Sequence, residues 1–169
     1  MLERKTLSND LVKLVPLIKD DFELLYFVAS DPEIWELHPD KMRYTNVGFT
    51  KYFKKLLETD IPYLIIDIKD ETVIGATSYY EYNEESKSVA IGYTFLAKSY
   101  WGGKYNQSVK SLMMDYAFQD VDEVIFHVRE GNLRSQGALT KIGAKQIGSY
   151  LAEEGVGTQL IYAIQKTKN

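Results

Sequence analysis

Short segments in which apolar and polar residues alternate recur along the chain, and this alternation is the pattern of β-strands. The first segment, LVKLVPL at residues 11–17, predicts a strand with a proline near its end. Three further segments predict strands at residues 62–68, 72–82 and 88–97. Because short polar connections separate these three strands, we expect consecutive hairpins, that is, an antiparallel meander.

Apolar residues at helical spacing predict helices before the meander. The segment FELLYFVAS at residues 22–30 follows two aspartates, which suit the first turn of a helix. Residues 47–59 place aromatic and leucine side chains on one face and predict a second helix. Residues 31–45 contain two prolines and little periodicity, so we expect an irregular loop or a short helix there.

The second half of the chain alternates helix and strand. After a helix that follows the meander, a strand is predicted at residues 122–128 and a helix at residues 132–143, which Gly143 ends. A final hairpin is predicted from the segments at residues 144–154 and 158–166, with its turn around Gly155 and Gly157. A meander followed by βαβ crossovers gives a mixed α/β sheet with helices on its faces. At this length, residues 1–169 are expected to form a single domain.

Charge and composition exclude several classes of function. The chain of 169 residues has a net charge of −4, which argues against nucleic acid as its main partner. It contains no cysteine, so a thiolate nucleophile and a disulfide framework are excluded, and no spacing of histidines and carboxylates suggests a metal site. The N-terminal segment MLERKTLSND has no apolar core, and no apolar run reaches the ~20 residues of a membrane span. We therefore expect a cytoplasmic protein without a membrane partner.

Gly102 and Gly103 lie between the strand that ends near Ala97 and an amphipathic segment, so they form a strand-to-helix turn. The free N–H groups and the dipole of a helix N-terminus can bind a phosphate group, and Lys98 and Lys104 add positive charge. The same glycines also suit a plain tight turn. Their spacing matches neither the P-loop nor the dinucleotide-binding motif, so the residues alone leave both interpretations open.

A second helix start follows the strand at residues 122–128. Asn132 lies at or near the N-cap of this helix, and Ser135 lies one turn further on. Both residues can be explained by helix capping and surface exposure. They can equally face a ligand that lies between the two strand-to-helix turns.

Taken together, the segments IGYTFLAKSYWGGKYNQSVKSLMMDYAF and VIFHVREGNLRSQGALTKIGA resemble the GNAT superfamily of N-acetyltransferases. They are most similar to the branch that includes the ribosomal-protein N-terminal acetyltransferases. That branch has, in this order, a strand with IGY, a WGxGYA loop, YAF late in the next helix, and N-x-x-S before LGF. The resemblance is clearest from about Val89 to Gly148. It implies a V-shaped, mostly antiparallel central sheet flanked by helices.

The resemblance also implies how acetyl-CoA would be held as a cosubstrate. Its pantetheine would pair with the strand backbone beside Phe95 and Leu96, and its pyrophosphate would lie on the loop and helix N-terminus that follow. The implied cofactor-binding residues are Phe95, Leu96, Tyr100, Trp101, Gly102, Gly103, Lys104, Tyr105, Asn106, Asn132 and Ser135. The loop departs from the family pattern, because Lys104 replaces the main glycine and Asn106 replaces a glycine or alanine. A subgroup with WGGxYN shares this departure.

Acetyl transfer to an amine needs a base for the amine and an acid for the departing thiolate. By resemblance, Ser135 occupies the position of the acid or of a hydrogen-bond donor to the sulfur. Ala90 replaces the acidic residue that often precedes IGY, so Glu81 on the neighbouring strand is the candidate base. His127 could also act as a base, although a structural role is the plainer interpretation of a histidine within a strand.

The acceptor site is predicted in the less regular first half of the chain. Its candidate substrate-binding residues are Trp35, His38 and Tyr79. The leading hypothesis is an acetyl-CoA-dependent N-acetyltransferase that acts on a primary amine of a small molecule, a peptide or a protein N-terminus, as a monomer or homodimer. The alternatives are a non-catalytic acyl-CoA-binding module of the same fold and a purely structural or interaction domain.

Overall fold

The computed structural model describes residues 2–153 and 156–167, so the predicted turn residue Gly155 lies outside the described part. The strands are β1 (Leu7–Ser8), β2 (Val12–Pro16), β3 (Ile61–Asp67), β4 (Thr72–Asn83), β5 (Ser88–Leu96), β6 (Glu123–Arg129), β7 (Lys145–Leu151) and β8 (Thr158–Gln165). The helices are α1 (Phe22–Ala29), α2 (Asn46–Leu57), α3 (Lys104–Ala117) and α4 (Leu133–Lys141). Among these helices, none has both the length and the apolar content that spanning a bilayer requires.

The predicted helices and strands are present, and the differences have local causes. β1 is absent from the prediction because a strand of two residues shows no alternation. The irregular segment at residues 31–45 contains two 3₁₀ turns, Pro32–Trp35 and Lys41–Tyr44, and an aspartate caps each of them. Gly143 has a positive φ of 86° just after α4, which confirms the predicted end of this helix.

The described strands form one sheet of eight strands in the order β1-β2-β3-β4-β5-β6-β8-β7. Strands β1 to β5 pair antiparallel with their neighbours, which confirms the predicted meander. β5 and β6 pair in parallel, with α3 as the crossover between them. β8 lies between β6 and β7 and is antiparallel to both. The fold is therefore the mixed α/β sheet that the sequence predicts.

The parallel pairing of β5 with β6 is short. It ends at the pair Ala90–Ile125, whereas β5 continues to Leu96 and β6 continues to Arg129. On its other edge, β5 stays paired with β4 as far as Leu96. Tyr93 has a left-handed φ of 54° where the β4–β5 register shifts, so a bulge bends β5 at this place. The two strands thus splay apart, which confirms the predicted V shape.

The sheet separates two hydrophobic cores. On one face, α3 and α4 cover a core that includes Tyr79, Met113 and Leu139. On the other face, α1 and α2 cover an aromatic core around Phe49 and Tyr52. Because successive residues of a strand point to opposite faces, each central strand contributes side chains to both cores.

Gly75 and Gly137 provide a matched pair of alanine substitutions with opposite expected effects. A Cβ on Gly75 in β4 would lie 2.0 Å from the Phe95 carbonyl oxygen, so Gly75→Ala should lower the free energy of unfolding by about 2 kcal/mol. A Cβ on Gly137 within α4 would meet no atom of the described residues within 4 Å, so Gly137→Ala should raise the free energy of unfolding by about 0.5–1 kcal/mol. Urea unfolding followed by circular dichroism measures both changes. Effects of the same sign would contradict this packing.

Candidate active site

The candidate active site is the gap between β5 and β6 beyond the pair Ala90–Ile125. Past this pair, the edge of β5 that faces β6 has no strand partner within the described residues. Unpaired N–H and C=O groups at a strand edge can bind an extended ligand as an added strand. The turns into α3 and α4 follow the carboxyl ends of β5 and β6, so both helix N-termini lie at the wide end of this gap.

The turn between β5 and α3 contains the paired glycines. Residues Lys98–Tyr100 form a 3₁₀ turn, Gly102 has a positive φ of 67°, and Gly103 is the N-cap of α3. Within the part of the chain that the structure describes, no side chain caps this helix. Of the atoms of the described residues, a Cβ on Gly103 would have the Trp101 carbonyl oxygen alone nearby, at 3.9 Å. The first N–H groups of α3 are therefore open to an anionic ligand.

Two tyrosines hold this turn against the sheet. The hydroxyls of Tyr100 and Tyr105 each donate to the Asp67 carboxylate at 3.3 Å, and their rings meet edge to face at 4.7 Å. Asp67 is only 2% exposed, and a buried carboxylate is costly unless hydrogen bonds satisfy it. Both tyrosines belong to the predicted cofactor set, and the structure shows their hydroxyls hydrogen-bonded within the protein.

Trp101 connects the turn to β5 and to α4. Its indole N–H donates to the Leu96 carbonyl at 2.8 Å, and the Arg134 guanidinium of α4 stacks on its ring at 4.2 Å. These contacts fix the turn from both sides of the gap. The exposed members of the predicted cofactor set in this turn are Gly102, Gly103 and Lys104.

Phe95 and Leu96 are each 6% exposed. The Phe95 ring lies 5.0 Å from the Trp35 ring, in the core beneath α1 and α2. Leu96 belongs to the core beneath α3 and α4. A ligand in the gap can therefore reach these two residues through their backbone more readily than through their side chains.

The start of α4 combines a cap with a free hydroxyl. The Oδ1 atom of Asn132 accepts a hydrogen bond from the Ser135 N–H at 3.1 Å, which confirms the capping interpretation of Asn132. The Ser135 side chain is half-buried, and its hydroxyl has no hydrogen-bond partner among residues 2–153 and 156–167. That hydroxyl is available as a donor in the first turn of α4.

Four side chains from four strands meet across the gap. The Tyr80 hydroxyl on β4 lies 3.0 Å from Nδ1 of His127 on β6. The Tyr93 ring on β5 contacts the Tyr80 ring edge-on at 5.3 Å, and the Tyr150 ring on β7 contacts His127 at 5.7 Å. Burial raises the pKa of Tyr80, and the charge of Glu81 raises it further, so this hydroxyl stays protonated. Of the four, the sequence singles out His127 alone, because strand periodicity does not show which tyrosines meet.

A cavity of about 410 Å³ opens beside this cluster. Its lining residues, from the end of α2 and from β4 and β5, are Lys55, Glu58, Thr59, Asp60, Tyr80, Glu81 and Tyr93. Three carboxylates against one lysine make the cavity suitable for a cationic ligand. In the described ranges, no group of three or more acids and histidines is arranged to hold a metal ion.

Glu81 lies at the mouth of this cavity and is exposed. Its φ of 54° is left-handed, a conformation that is uncommon for residues other than glycine. Burial raises the pKa of Tyr80, Tyr93 and Tyr150, and the charge of Glu81 raises the pKa of all three further. The predicted base is therefore in the same place as the cavity and the four-residue cluster.

The predicted substrate-binding residues Trp35 and Tyr79 are buried. Trp35 is 3% exposed, and its indole N–H donates to the Ala29 carbonyl at 2.8 Å. Tyr79 is fully buried beneath α3, where its hydroxyl donates to the Met113 carbonyl. The neighbouring Tyr80 lines the cavity described above, since adjacent residues of a strand face opposite sides.

His38, the third predicted substrate-binding residue, is half-buried after the first 3₁₀ turn. Burial, together with the charges of Arg43 and Arg129, lowers the pKa of His38 to about 4. The Arg43 guanidinium stacks over the rings of Trp35 and Tyr52, at 5.5 and 4.7 Å.

Comparisons with known proteins show which family the chain resembles. The family model described as the acetyltransferase (GNAT) domain matches residues 12–145. No curated protein sequence matches the chain.

Three solved structures share the fold at low sequence identity. A GCN5-related N-acetyltransferase from Brucella melitensis is 17% identical, with a TM-score of 0.84 over 96% of this chain and 79% of that chain. RimJ from Mycobacterium smegmatis, in complex with CoA-disulfide, is 18% identical, with a TM-score of 0.72 over 91% and 81%. Spermidine N-acetyltransferase from Vibrio cholerae, in complex with CoA and spermine, is 16% identical, with a TM-score of 0.71 over 93% and 96%.

We expect the stability of the protein to fall when the pH drops below about 6.5. The unfolded chain protonates His38 near pH 6.5 and the folded protein only near pH 4, so the free energy of unfolding decreases as the pH falls between these values. His38→Asn should remove this contribution, and the matched variant His127→Asn should retain it. Urea unfolding at about pH 5 and pH 7.5 measures the change. An NMR titration that places the His38 pKa above about 6 would contradict the burial of this ring.

Proposed function

The chain belongs to the acetyltransferase (GNAT) domain family, and we propose that it transfers the acetyl group of acetyl-CoA to a primary amine, which attacks the thioester directly. The observation that carries this proposal is the gap between β5 and β6. Among the described residues, the gap has a strand edge without a strand partner, a helix N-terminus that no side chain caps at its wide end, and an acidic cavity near its narrow end. These two ends suit an anionic cofactor and a cationic acceptor.

The described residues fit CoA on their own geometry. The first N–H groups of α3 and the glycines before them would hold the diphosphate, with Lys104 exposed beside them. The β5 backbone from Tyr93 to Leu96 would pair with the amides of the pantetheine arm. Asn132 and Ser135 would line the opposite side at the start of α4. The CoA species in the complexes from M. smegmatis and V. cholerae support this arrangement.

Two side chains would move the protons of the reaction. Glu81 accepts the proton of the acceptor ammonium, directly or through a water molecule, and so makes the nitrogen nucleophilic. The nitrogen forms a bond to the acetyl carbon as the carbon–sulfur bond breaks, and Ser135 donates its proton to the departing sulfur. The newly bonded nitrogen then gives its second proton to the Ser135 oxygen, directly or through water, and solvent takes the first proton from Glu81. Acetyl-CoA, when bound, supplies the activated acyl group.

The acceptor is proposed to be an amine of a small molecule, a peptide or a protein N-terminus. The carboxylates of the cavity favour an amine that is protonated in solution. The resemblance to the ribosomal-protein branch favours a protein N-terminus, and the spermine in the V. cholerae complex favours a polyamine. Both present the same reacting group, a primary ammonium.

A non-catalytic acyl-CoA-binding module of the same fold is the second candidate. Ala90 is 1% exposed at the narrow end of the gap, where the similar branch often has an acidic residue. Lys104 and Asn106 replace small residues of the cofactor loop. This candidate predicts binding of acetyl-CoA without turnover of any amine.

Isothermal titration calorimetry with acetyl-CoA tests cofactor binding. We expect the wild-type protein to bind, and Gly103→Trp to bind at least about tenfold more weakly, because an indole at the N-cap would cover the first N–H groups of α3. The space around Gly103 is open, so this variant should keep its fold and melting temperature. Gly137→Trp, at another open glycine, is the matched control and should bind normally. If the wild-type protein fails to bind, the proposed function is wrong.

Glu81→Gln tests the proposed base. Glutamine keeps the shape of the side chain but does not accept the proton, so we expect kcat to fall by about 100-fold while acetyl-CoA affinity stays unchanged. Release of CoA with a panel of primary amines can be followed with a thiol reagent, because the chain contains no cysteine. Glu84→Gln, at an exposed position in the turn after β4, is the matched control. Equal kcat values for Glu81→Gln and wild type would exclude Glu81, and binding without turnover would support the non-catalytic module.

A further inference from the structure

Lys110 is a half-buried cation on α3 that the family resemblance leaves without a role. Its Nζ atom donates to Oδ1 of Asn106 at 2.9 Å, and this is its one hydrogen bond among the described residues. Helical side chains point toward the N-terminus of their helix, so Lys110 reaches back by one turn. Its ammonium therefore lies level with Asn106, in the first turn of α3.

The ammonium of Lys110 has no acidic partner in the described part of the chain. Burial alone lowers its pKa to about 8, without a contribution from a neighbouring charge. The charged groups around the turn are Lys98, which pairs with Glu33, Lys104 in the same first turn, Arg134 stacked on Trp101, and Asp67, which the tyrosines of the turn hydrogen-bond. A poorly solvated cation that lacks a counter-charge is costly, so a bound anion is the partner that would balance it.

The position of Lys110 on α3 directs it toward the gap. Met113 points into the core beneath the helix. Ser108 accepts a hydrogen bond from Asn9 at 2.9 Å, so that flank of α3 faces β1 and β2. Asn106 and Lys110 lie one turn apart on the opposite flank, which faces the side of the sheet where β5 and β6 separate.

We propose that Lys110 is a cofactor-binding residue whose ammonium pairs with the diphosphate of CoA at the N-terminus of α3, while Asn106 holds it in place. The inference rests on the proposed function, because it takes acetyl-CoA as the ligand of the gap. It assigns a task to Asn106, one of the two residues that replace small residues of the family pattern. A charge-assisted hydrogen bond to phosphate supplements the backbone N–H groups of the helix.

The pairing predicts a pH dependence of cofactor affinity. A phosphate beside Lys110 favours the protonated amine, so binding raises the pKa of this group and takes up a proton near pH 8. Affinity for acetyl-CoA should then fall by about tenfold between pH 7 and pH 9, as the free protein loses the proton. Acetyl-CoA has no free thiol, so its sulfur does not titrate in this range.

Calorimetric titration with acetyl-CoA at pH 7 and pH 9 tests the inference on wild type, Lys110→Met and Lys54→Met. Lys110→Met should bind about 10- to 100-fold more weakly at pH 7 and lose the pH dependence. Lys54→Met removes an exposed lysine of α2 and should behave as wild type. Titrations in buffers with different heats of ionisation should show proton uptake by wild type and none by Lys110→Met. Lys110→Met should lose as much affinity, relative to wild type, for 3′-dephospho-acetyl-CoA as for acetyl-CoA. This result would identify the diphosphate, and not the 3′-phosphate, as the partner of Lys110.

The outcomes separate the two levels of the proposal. If wild type does not bind acetyl-CoA, the proposed function fails. If wild type binds and Lys110→Met binds equally well, the Lys110 assignment fails while the proposed function stands. If Lys110→Met binds 3′-dephospho-acetyl-CoA as tightly as wild type does, the assignment of the diphosphate as the partner of Lys110 is wrong. Without ligand, Lys110→Met should melt at the same or a higher temperature than wild type, because it removes an unpaired desolvated charge. A lower melting temperature with unchanged affinity would identify a structural role.

Discussion

The separation of β5 from β6 is the constraint on which the rest of the site depends. Small residues stand where the strands separate: Ala90 is the last residue of β5 that pairs with β6, and a Cβ on Gly92 would lie 2.8 Å from the Tyr80 ring. Tyr80 can therefore cross β5 at Gly92 and reach His127 on β6. An open strand edge is ordinarily a liability, because its free N–H and C=O groups invite unwanted pairing. Here the turns into α3 and α4 lie at the end of this edge, so the open groups and the helix N-termini border the same gap.

Most of the fold follows from patterns that extend over about ten residues. Alternation and short polar connections predict the meander, and Gly143 predicts the end of α4 through its left-handed conformation. The place of β8 does not follow in this way. A final hairpin can join a sheet through either of its strands, and the choice depends on which side chains pack against β6. β1 has no pattern at all, because two residues cannot alternate.

The site is less predictable, because it depends on which side chains of different elements meet. The glycines before α3 locate the turn, but only the folded structure shows that Tyr100 and Tyr105 direct their hydroxyls to Asp67. Tyr79 and Tyr80 are adjacent on β4, and a change of one position moves a side chain to the other face of the sheet. The register shifts on both edges of β4, so alternation in the sequence does not reliably show which face of the sheet a given β4 side chain points to.

The departures from the family pattern are consistent with one distribution of charge along the gap. An asparagine at position 106 lets a ligand approach the helix backbone less closely than a glycine would. Its side-chain carbonyl oxygen holds the Lys110 ammonium in the first turn of α3. Near the narrow end, three carboxylates line the cavity together with Tyr93 and Tyr80. Positive charge thus stands where the proposed cofactor is anionic, and negative charge stands where the proposed acceptor is cationic. This distribution of charge would draw the two proposed ligands to opposite ends of the gap.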